Sequence, residues 1–278
     1  MEEAAPKGLD PVVAAYYDHA PEEARLEQGP FQLEEARTRE LIERFAPPPP
    51  GVVLDVGGAA GAYALWLAGL GYSVHLHDPV PRLVAEARRR SAAADRALAS
   101  CQVGDARRLE VAGDTADIVL LLGPLYHLTD AGDRALALHE AARVLKPGGW
   151  LFTAAISRWA SALDGLARDL FQDPRFAQIV ERDVLDGQHR NPTDRLDYFT
   201  TAYFHRPEEL AHEVLGAGLI LQGVYGLEGP AWILPDVSER MANPDRRAAL
   251  LRVARLLETE TSVVGTSAHL LAVSRRPT

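Results

Sequence analysis

A single cysteine, Cys101, stands in 278 residues. One thiol excludes an intrachain disulfide and every cysteine-based metal cluster, and its place near a strand end reads as packing. Positive charge is also short: 29 Lys and Arg face 39 Asp and Glu, a formal net charge of −10. That balance disfavours phosphate backbones and anionic lipid as partners. The densest basic run, Arg88-Arg89-Arg90, reads as a solvated helix end. Long apolar runs are missing, and none approaches the roughly 20 residues that span a bilayer. The opening Met1-Glu2-Glu3-Ala4-Ala5-Pro6 is acidic and lacks the charged and apolar regions of a signal peptide. The expectation is a cytoplasmic protein with neither nucleic acid nor membrane as partner.

What is present is one large α/β pattern. A chain of this size buries roughly 75% of its unfolded surface. Residues 1–50 read as a helical cap, with helices at 11–19, 21–27 and 33–45, closed by Pro47-Pro48-Pro49-Pro50, a stiff connector. Strands at 52–56, 72–77, 98–102, 116–122 and 150–155 then alternate with helices at 60–69, 80–93 and 131–145. Such alternation predicts a doubly wound, Rossmann-like, mostly parallel sheet. Residues 51–156 form its first half. A helical insertion at 157–200 interrupts it, and 201–278 completes it with a helix at 207–217, strands at 219–226 and 268–275, and a second helical insertion at 229–262. The last strand is expected to be antiparallel, giving seven in all. Both insertions then leave from the carboxyl edge, where ligands of open α/β sheets bind, and roof a small substrate.

The glycine loop Asp55-Val56-Gly57-Gly58-Ala59-Ala60-Gly61 follows the first strand. Glycines allow a sharp turn and close approach to a ligand, and the next helix offers free N–H groups. A dinucleotide fingerprint wants glycine at 57, 59 and 62, yet 59 and 62 are alanine. Asp78 closes the second strand, where a carboxylate binds ribose hydroxyls; Pro79 follows it. Gly104-Asp105-Ala106 follows the third strand, with a carboxylate placed for an adenine amino group. Each aspartate alone reads equally as a loop or cap residue. Three in sequence at the ends of successive strands point to one nucleoside-like ligand.

At these residues the chain resembles the class I S-adenosylmethionine-dependent methyltransferases, over about residues 50–156. The glycine loop is similar to their first motif, and Asp78 and Asp105 to their acidic positions. Ala116 to Leu128, through Leu122-Gly123-Pro124-Leu125-Tyr126-His127, resembles their fourth-strand motif, and Val144-Leu145-Lys146-Pro147-Gly148-Gly149-Trp150 the turn before the fifth strand. Ala59 departs from the family, which has a glycine there. The resemblance implies S-adenosylmethionine as cofactor and S-adenosylhomocysteine as product. It assigns donor contacts to Tyr17, Asp55, Gly57, Gly58, Ala59, Gly61, Asp78, Pro79, Gly104, Asp105, Ala106, Leu122 and Gly123. In-line displacement relies on alignment and desolvation, and needs a base only for a protonated acceptor.

His127 is the expected base, with Tyr126 orienting the acceptor; the bland reading of His127 is a loop histidine capping a helix. Tyr16, Tyr17 and His19 stand where an N-terminal helix can close over the donor, or else they pack it onto the core. Tyr203 and His205 precede a roof helix, His205 as a second catalytic candidate. Trp232 is either an aromatic wall or core packing. Arg25 and Arg37 are candidates for the donor carboxylate, with surface ion pairing as the alternative. His75 and His77 alternate beside Asp78, a spacing that suggests a metal; a buried strand argues against it, so no metal site is expected. The reading is metal-independent methyl transfer to O or N of a small molecule, in secondary metabolism by the Ala- and Arg-rich composition. The alternatives are an NAD(P)-dependent oxidoreductase and a noncatalytic S-adenosylmethionine-binding regulator. The outer helices offer a surface for capping or for a homodimer.

Overall fold

Breaks at glycine and proline divide the chain into helices and strands of ordinary length. The computed structural model describes residues 8–19, 26 and 29–278, without the side chains of Asp18 and His19. Apart from Leu26, the helix expected at 21–27 lies outside the described residues, as does Arg25. Helices α1 (Pro11–His19) and α2 (Phe31–Phe45) precede the sheet. Then come β1 (Val52–Val56), α3 (Ala62–Leu70), β2 (Ser73–Asp78), α4 (Pro81–Ala93), β3 (Ser100–Val103) and β4 (Ala116–Leu121). A four-residue helix α5 (Pro124–His127) leads to α6 (Ala131–Val144) and β5 (Leu145–Ser157). The first insertion holds α7 (Ala160–Ala167), α8 (Pro174–Asp186) and β6 (Gln188–His189). Strand β7 (Ala202–His205), α9 (Pro207–Gly216), β8 (Ile220–Gly226), α10 (Val237–Ala242), α11 (Pro244–Leu257) and β9 (His269–Arg275) follow.

Strands pair in the order β3-β2-β1-β4-β5, all parallel, and β9 then runs antiparallel between β5 and β8. These are the seven expected strands. Helix α6 and α9 residues pack with Leu54, Val56, Val119 and Leu121 on one face. The opposite face joins α2, α3 and α4 to Val53, Val74, Ile118 and Leu120. Every β1 residue after Val52 is buried, so its side chains alternate between two covered faces. Among the described residues no helix is long and apolar enough to cross a membrane.

Two short strands lie beyond expectation. β5 pairs with β4 only as far as Thr153 but continues to Ser157, where β7 adds in parallel at Ile156 and Ser157. Because β9 occupies the other edge at Ile156, β7 covers the edge that β4 leaves exposed. β6 then pairs antiparallel to β7. Segments of two and four residues carry no usable periodicity, so the first insertion reads as helical from sequence alone.

Candidate functional site

The turn after β1 is held from the neighbouring strand. The N–H groups of Gly57 and Gly58 donate to the carbonyl of His77 at 2.7 and 3.3 Å. Gly57 has φ +74°, and a Cβ there would stand 2.5 Å from Pro124. A Cβ on Gly58 would stand 2.6 Å from Asp55 Oδ2. Gly61, φ +87°, caps the start of α3 and does not line the cavity. Ala59 adopts φ +46°, the glycine conformation without the glycine, at a cost of about 1 kcal/mol. Its N–H donates to Asp78 Oδ2 at 2.9 Å, so the turn survives the substitution.

Asp55 is 2% exposed and its Oδ2 has no hydrogen-bond partner among the described residues. Burial, reinforced by the charge of Asp78 and opposed by the N–H of Ala64, pushes its carboxyl up to about 7. The wall thus contains an acceptor suited to a cationic or N–H donor. Asp78 accepts Ala59 N–H on one oxygen and Val80 N–H, at 2.8 Å, on the other. Asp105 is gripped by Arg107, whose Nη2 donates to Oδ2 at 2.6 Å and whose Nη1 reaches Asp133 at 2.8 Å. Arg107 carried no motif signal although it stands two residues after Asp105; the fold adds Asp133 as its second carboxylate partner.

These groups line a cavity of about 780 Å³ at the carboxyl ends of the strands, with Pro79, Gly104, Ala106, Leu122 and Gly123. Helices before the sheet close it through Tyr17, Glu35, Thr38 and Arg39. A second cavity of about 350 Å³ adjoins it and shares Tyr17 and Tyr126. Its walls include Tyr16, Phe31, Phe176, Tyr198, Phe199, Phe204 and Trp232, with Glu228 and His269. Trp232 donates its indole N–H to Thr266 O at 2.9 Å. Phe199 takes φ +68°, ψ −178°, a region nearly reserved for glycine. Asn191 holds it there by donating to its carbonyl at 2.8 Å.

His127 lines the first cavity beside Tyr17 and Tyr126, the two residues both cavities share. Its Nδ1 lies 3.3 Å from the carbonyl of Thr201, which can only accept, so the proton is on Nδ1. Tyr17 O–H then donates to Nε2 at 2.7 Å. Burial, against a weaker upward pull from the Thr201 carbonyl, takes the ring down to about 4. His127 is neutral at physiological pH, and its basic nitrogen is engaged.

The remaining expected residues separate. Tyr16, Tyr17, Tyr126 and Trp232 line the second cavity; the His19 side chain lies outside the described residues. Tyr203 and His205 line neither cavity. His205 is fully buried with Nε2 3.2 Å from Glu213 Oε2, and Tyr203 lies under the Arg134 guanidinium at 3.8 Å. Both point away because β7 alternates its faces beside β5. Arg37 is buried in ion pairs with Glu40 and Glu258, remote in role from any donor carboxylate. His75 bonds Ser100 at 2.9 Å. Among the described residues the cluster with metal-like spacing is instead Glu34, Glu228 and His269, whose ligand atoms lie within 4.8 Å. Widely separated in sequence, these three gave no motif.

Residues 54–153 match the family described as a methyltransferase domain. A ubiquinone/menaquinone biosynthesis C-methyltransferase of Cereibacter sphaeroides is 31% identical over 149 residues, 51% of this chain and 58% of that protein. A ubiquinone biosynthesis O-methyltransferase of Methylocella silvestris is 29% identical over 177 residues, 56% of this chain and 68% of that protein. The chain thus spans less than two thirds of the C-methyltransferase's length. The same fold occurs in an S-adenosylmethionine-dependent methyltransferase from Mesorhizobium loti, at 17% identity and TM-score 0.58 over 88% of this chain and 100% of that one. A putative one from Listeria monocytogenes gives 17% and 0.59 over 89% and 100%. Residues 54–153 thus carry a methyltransferase domain, and in sheet order and glycine turn the chain is similar to the class I S-adenosylmethionine-dependent methyltransferases.

Proposed function

We propose that this protein transfers the methyl group of S-adenosylmethionine to an oxygen or nitrogen of a small, flat, largely apolar metabolite, without a metal ion. The observation that carries this reading is the second cavity, aromatic-walled and joined to the first at Tyr17 and Tyr126. Two relatives named for ubiquinone biosynthesis, one a C- and one an O-methyltransferase, favour a ring-bearing acceptor, and the second favours oxygen. A cytoplasmic setting goes with this reading.

The first cavity suits the donor chemically. The buried Asp55 Oδ2, which has no hydrogen-bond partner among the described residues, matches an α-ammonium, and glycine at 58 keeps a Cβ off that oxygen. Asp78, whose carboxylate type suits ribose hydroxyls, and Asp105, fixed by Arg107, face the same cavity. S-adenosylmethionine supplies an electrophilic methyl group when bound, so the protein's tasks are alignment and exclusion of water. Tyr17, oriented by neutral His127, stands between the cavities and narrows the path along which an acceptor approaches.

The test is titration calorimetry with S-adenosylmethionine and S-adenosylhomocysteine, followed by mass spectrometry of hydroxylated aromatics and arylamines incubated with enzyme and donor. Donor binding and products heavier by one methylene unit are expected. Binding of NAD(P)H without S-adenosylmethionine would reverse the reading, and donor binding without any methylated product would favour a regulator.

A further inference from the structure

The second cavity combines an aromatic wall with an uneven set of charges. Among the described residues, Asp164, Asp197 and Glu228 line it with carboxylates, against the one guanidinium of Arg168. Two of these acids are engaged on both oxygens. Glu228 accepts His269 Nδ1 on Oε1, and the Ser267 hydroxyl and His269 backbone N–H on Oε2. Asp197 accepts Arg195 on Oδ1 at 3.1 Å and on Oδ2 at 2.7 Å, with Arg168 Nη2 3.3 Å from the latter. Asp164, one turn before Arg168 on α7, is different. Its Oδ2 accepts Arg168 Nη1 at 2.9 Å, while Oδ1 takes no hydrogen bond among the described residues. Burial pushes the Asp164 carboxyl up although the charge and hydrogen bond of Arg168 pull it down, so one guanidinium does not offset the water this group has lost. Polar side chains elsewhere on the wall are committed: Ser161 and His189 to Asp183, and Trp232 to Thr266 O.

We propose that the acceptor carries an ammonium group seated against Asp164, and that Asp164 is the residue that selects it. This rests on reading the second cavity as the acceptor site. An ammonium donates to Oδ1 and is favoured beside the aromatic side chains of the same wall, among them Phe176, Tyr198 and Phe199. An anionic acceptor would face three acids and would have to displace Asp164 or Asp197 from Arg168. A neutral group would leave the excess of negative charge unanswered. Asp164, Arg168 and Asp197 line the second cavity alone, whereas Tyr17 and Tyr126 line both. The ammonium therefore anchors the end of the acceptor away from the donor, and the atom that is methylated belongs to its other end.

The experiment titrates phenols of similar size that differ in one group into enzyme saturated with S-adenosylhomocysteine: tyramine (ammonium), tyrosol (hydroxyl) and 4-hydroxyphenylacetate (carboxylate). Wild type is compared with Asp164→Asn and Arg168→Gln, and mass spectrometry locates the methyl group on any product formed with S-adenosylmethionine. Tyramine should bind wild type about tenfold or more tighter than tyrosol, and the carboxylate weakest. Asp164→Asn should bring tyramine to the level of tyrosol and leave tyrosol unchanged. Arg168→Gln removes the cation that competes for Asp164 and should tighten tyramine further, whereas a merely structural role would weaken every ligand in both variants. If Asp164→Asn does not fold, the opposite effect of Arg168→Gln decides. Equal binding of tyramine and tyrosol, tightest binding of the carboxylate, weaker tyramine in Arg168→Gln, or a methyl group on the amine nitrogen overturns the ammonium site and leaves the acceptor reading standing. An enzyme that binds S-adenosylhomocysteine and none of these phenols overturns that reading, and the ammonium site with it.

Discussion

Asp55 and His127 titrate away from the values bulk water would give them, and both consequences are measurable. Burial, then the neighbouring Asp78, push Asp55 up to about 7. An ammonium bound beside it favours the carboxylate, so donor binding at about pH 6.5 should release protons. Calorimetry in buffers of different ionisation enthalpy measures that release. Asp55→Asn should abolish it and weaken the donor about tenfold or more. His127 shows the opposite sense: burial lowers it from 6.5 to about 4. The unfolded chain therefore binds more protons between those values. The stability of the neutral ring is complete above about pH 6.5 and is lost as pH falls through about 4, by at most about 3 kcal/mol. Urea denaturation across this range should show that slope, and His127→Gln should flatten it. At Ala59, φ +46° favours glycine in the folded state, while glycine's greater freedom favours unfolding. Ala59→Gly should therefore change stability by less than about 1 kcal/mol, as chemical denaturation would show.

At the scale of elements, the first insertion is held by a buried polar knot beside its own small apolar cluster of Phe176, Ile179, Val180 and Tyr198. Asp183 on α8 accepts from Ser161 on α7 at 2.6 Å and from His189 on β6 at 2.8 Å. His189 Nε2 also donates to Tyr198 O at 2.9 Å, and its ring stacks on Phe204 at 4.7 Å. All three side chains joined at Asp183 are buried. Asp183→Ala leaves two of them unpaired and should destabilise this segment by about 3 kcal/mol. Hydrogen exchange should then rise across residues 157–200 while β1 and β4 keep their protection. Uniform loss of protection throughout the sheet would contradict a locally held insertion. The helical character of this insertion was legible in the sequence. Its two strands were not, because a two- and a four-residue strand form only when the overhanging edge of β5 is present to pair with.

On the scale of the whole molecule, donor and fold are linked, because the first cavity draws on both the sheet and the helices before it. A ligand that binds only the folded state at 100 times its Kd stabilises it by about 2.7 kcal/mol. Thermal unfolding with S-adenosylhomocysteine should show the corresponding rise in Tm, and NAD(P)H should show none. The donor half of the site was the legible half. Asp55, Gly57, Gly58, Asp78 and Asp105 all lie within one continuous motif series, and all line one cavity. The second cavity was less so. Tyr16, Tyr126 and Trp232 were found by their place on elements, whereas Tyr203 and His205 were assigned to a roof that β7 turns them away from.

The sequence by itself determined the parallel sheet, the donor loop and the ends of the strands that carry its aspartates. Local spacing encodes these, since a strand, a glycine turn and a helix follow one another within a few residues. Tertiary structure alone decided that Arg107 also reaches Asp133, that Tyr17 occupies His127, and that Glu34, Glu228 and His269 meet. The last three lie on α2, after β8 and at the start of β9. No local pattern joins them, because only the antiparallel return of β9 between β5 and β8 brings them to one edge.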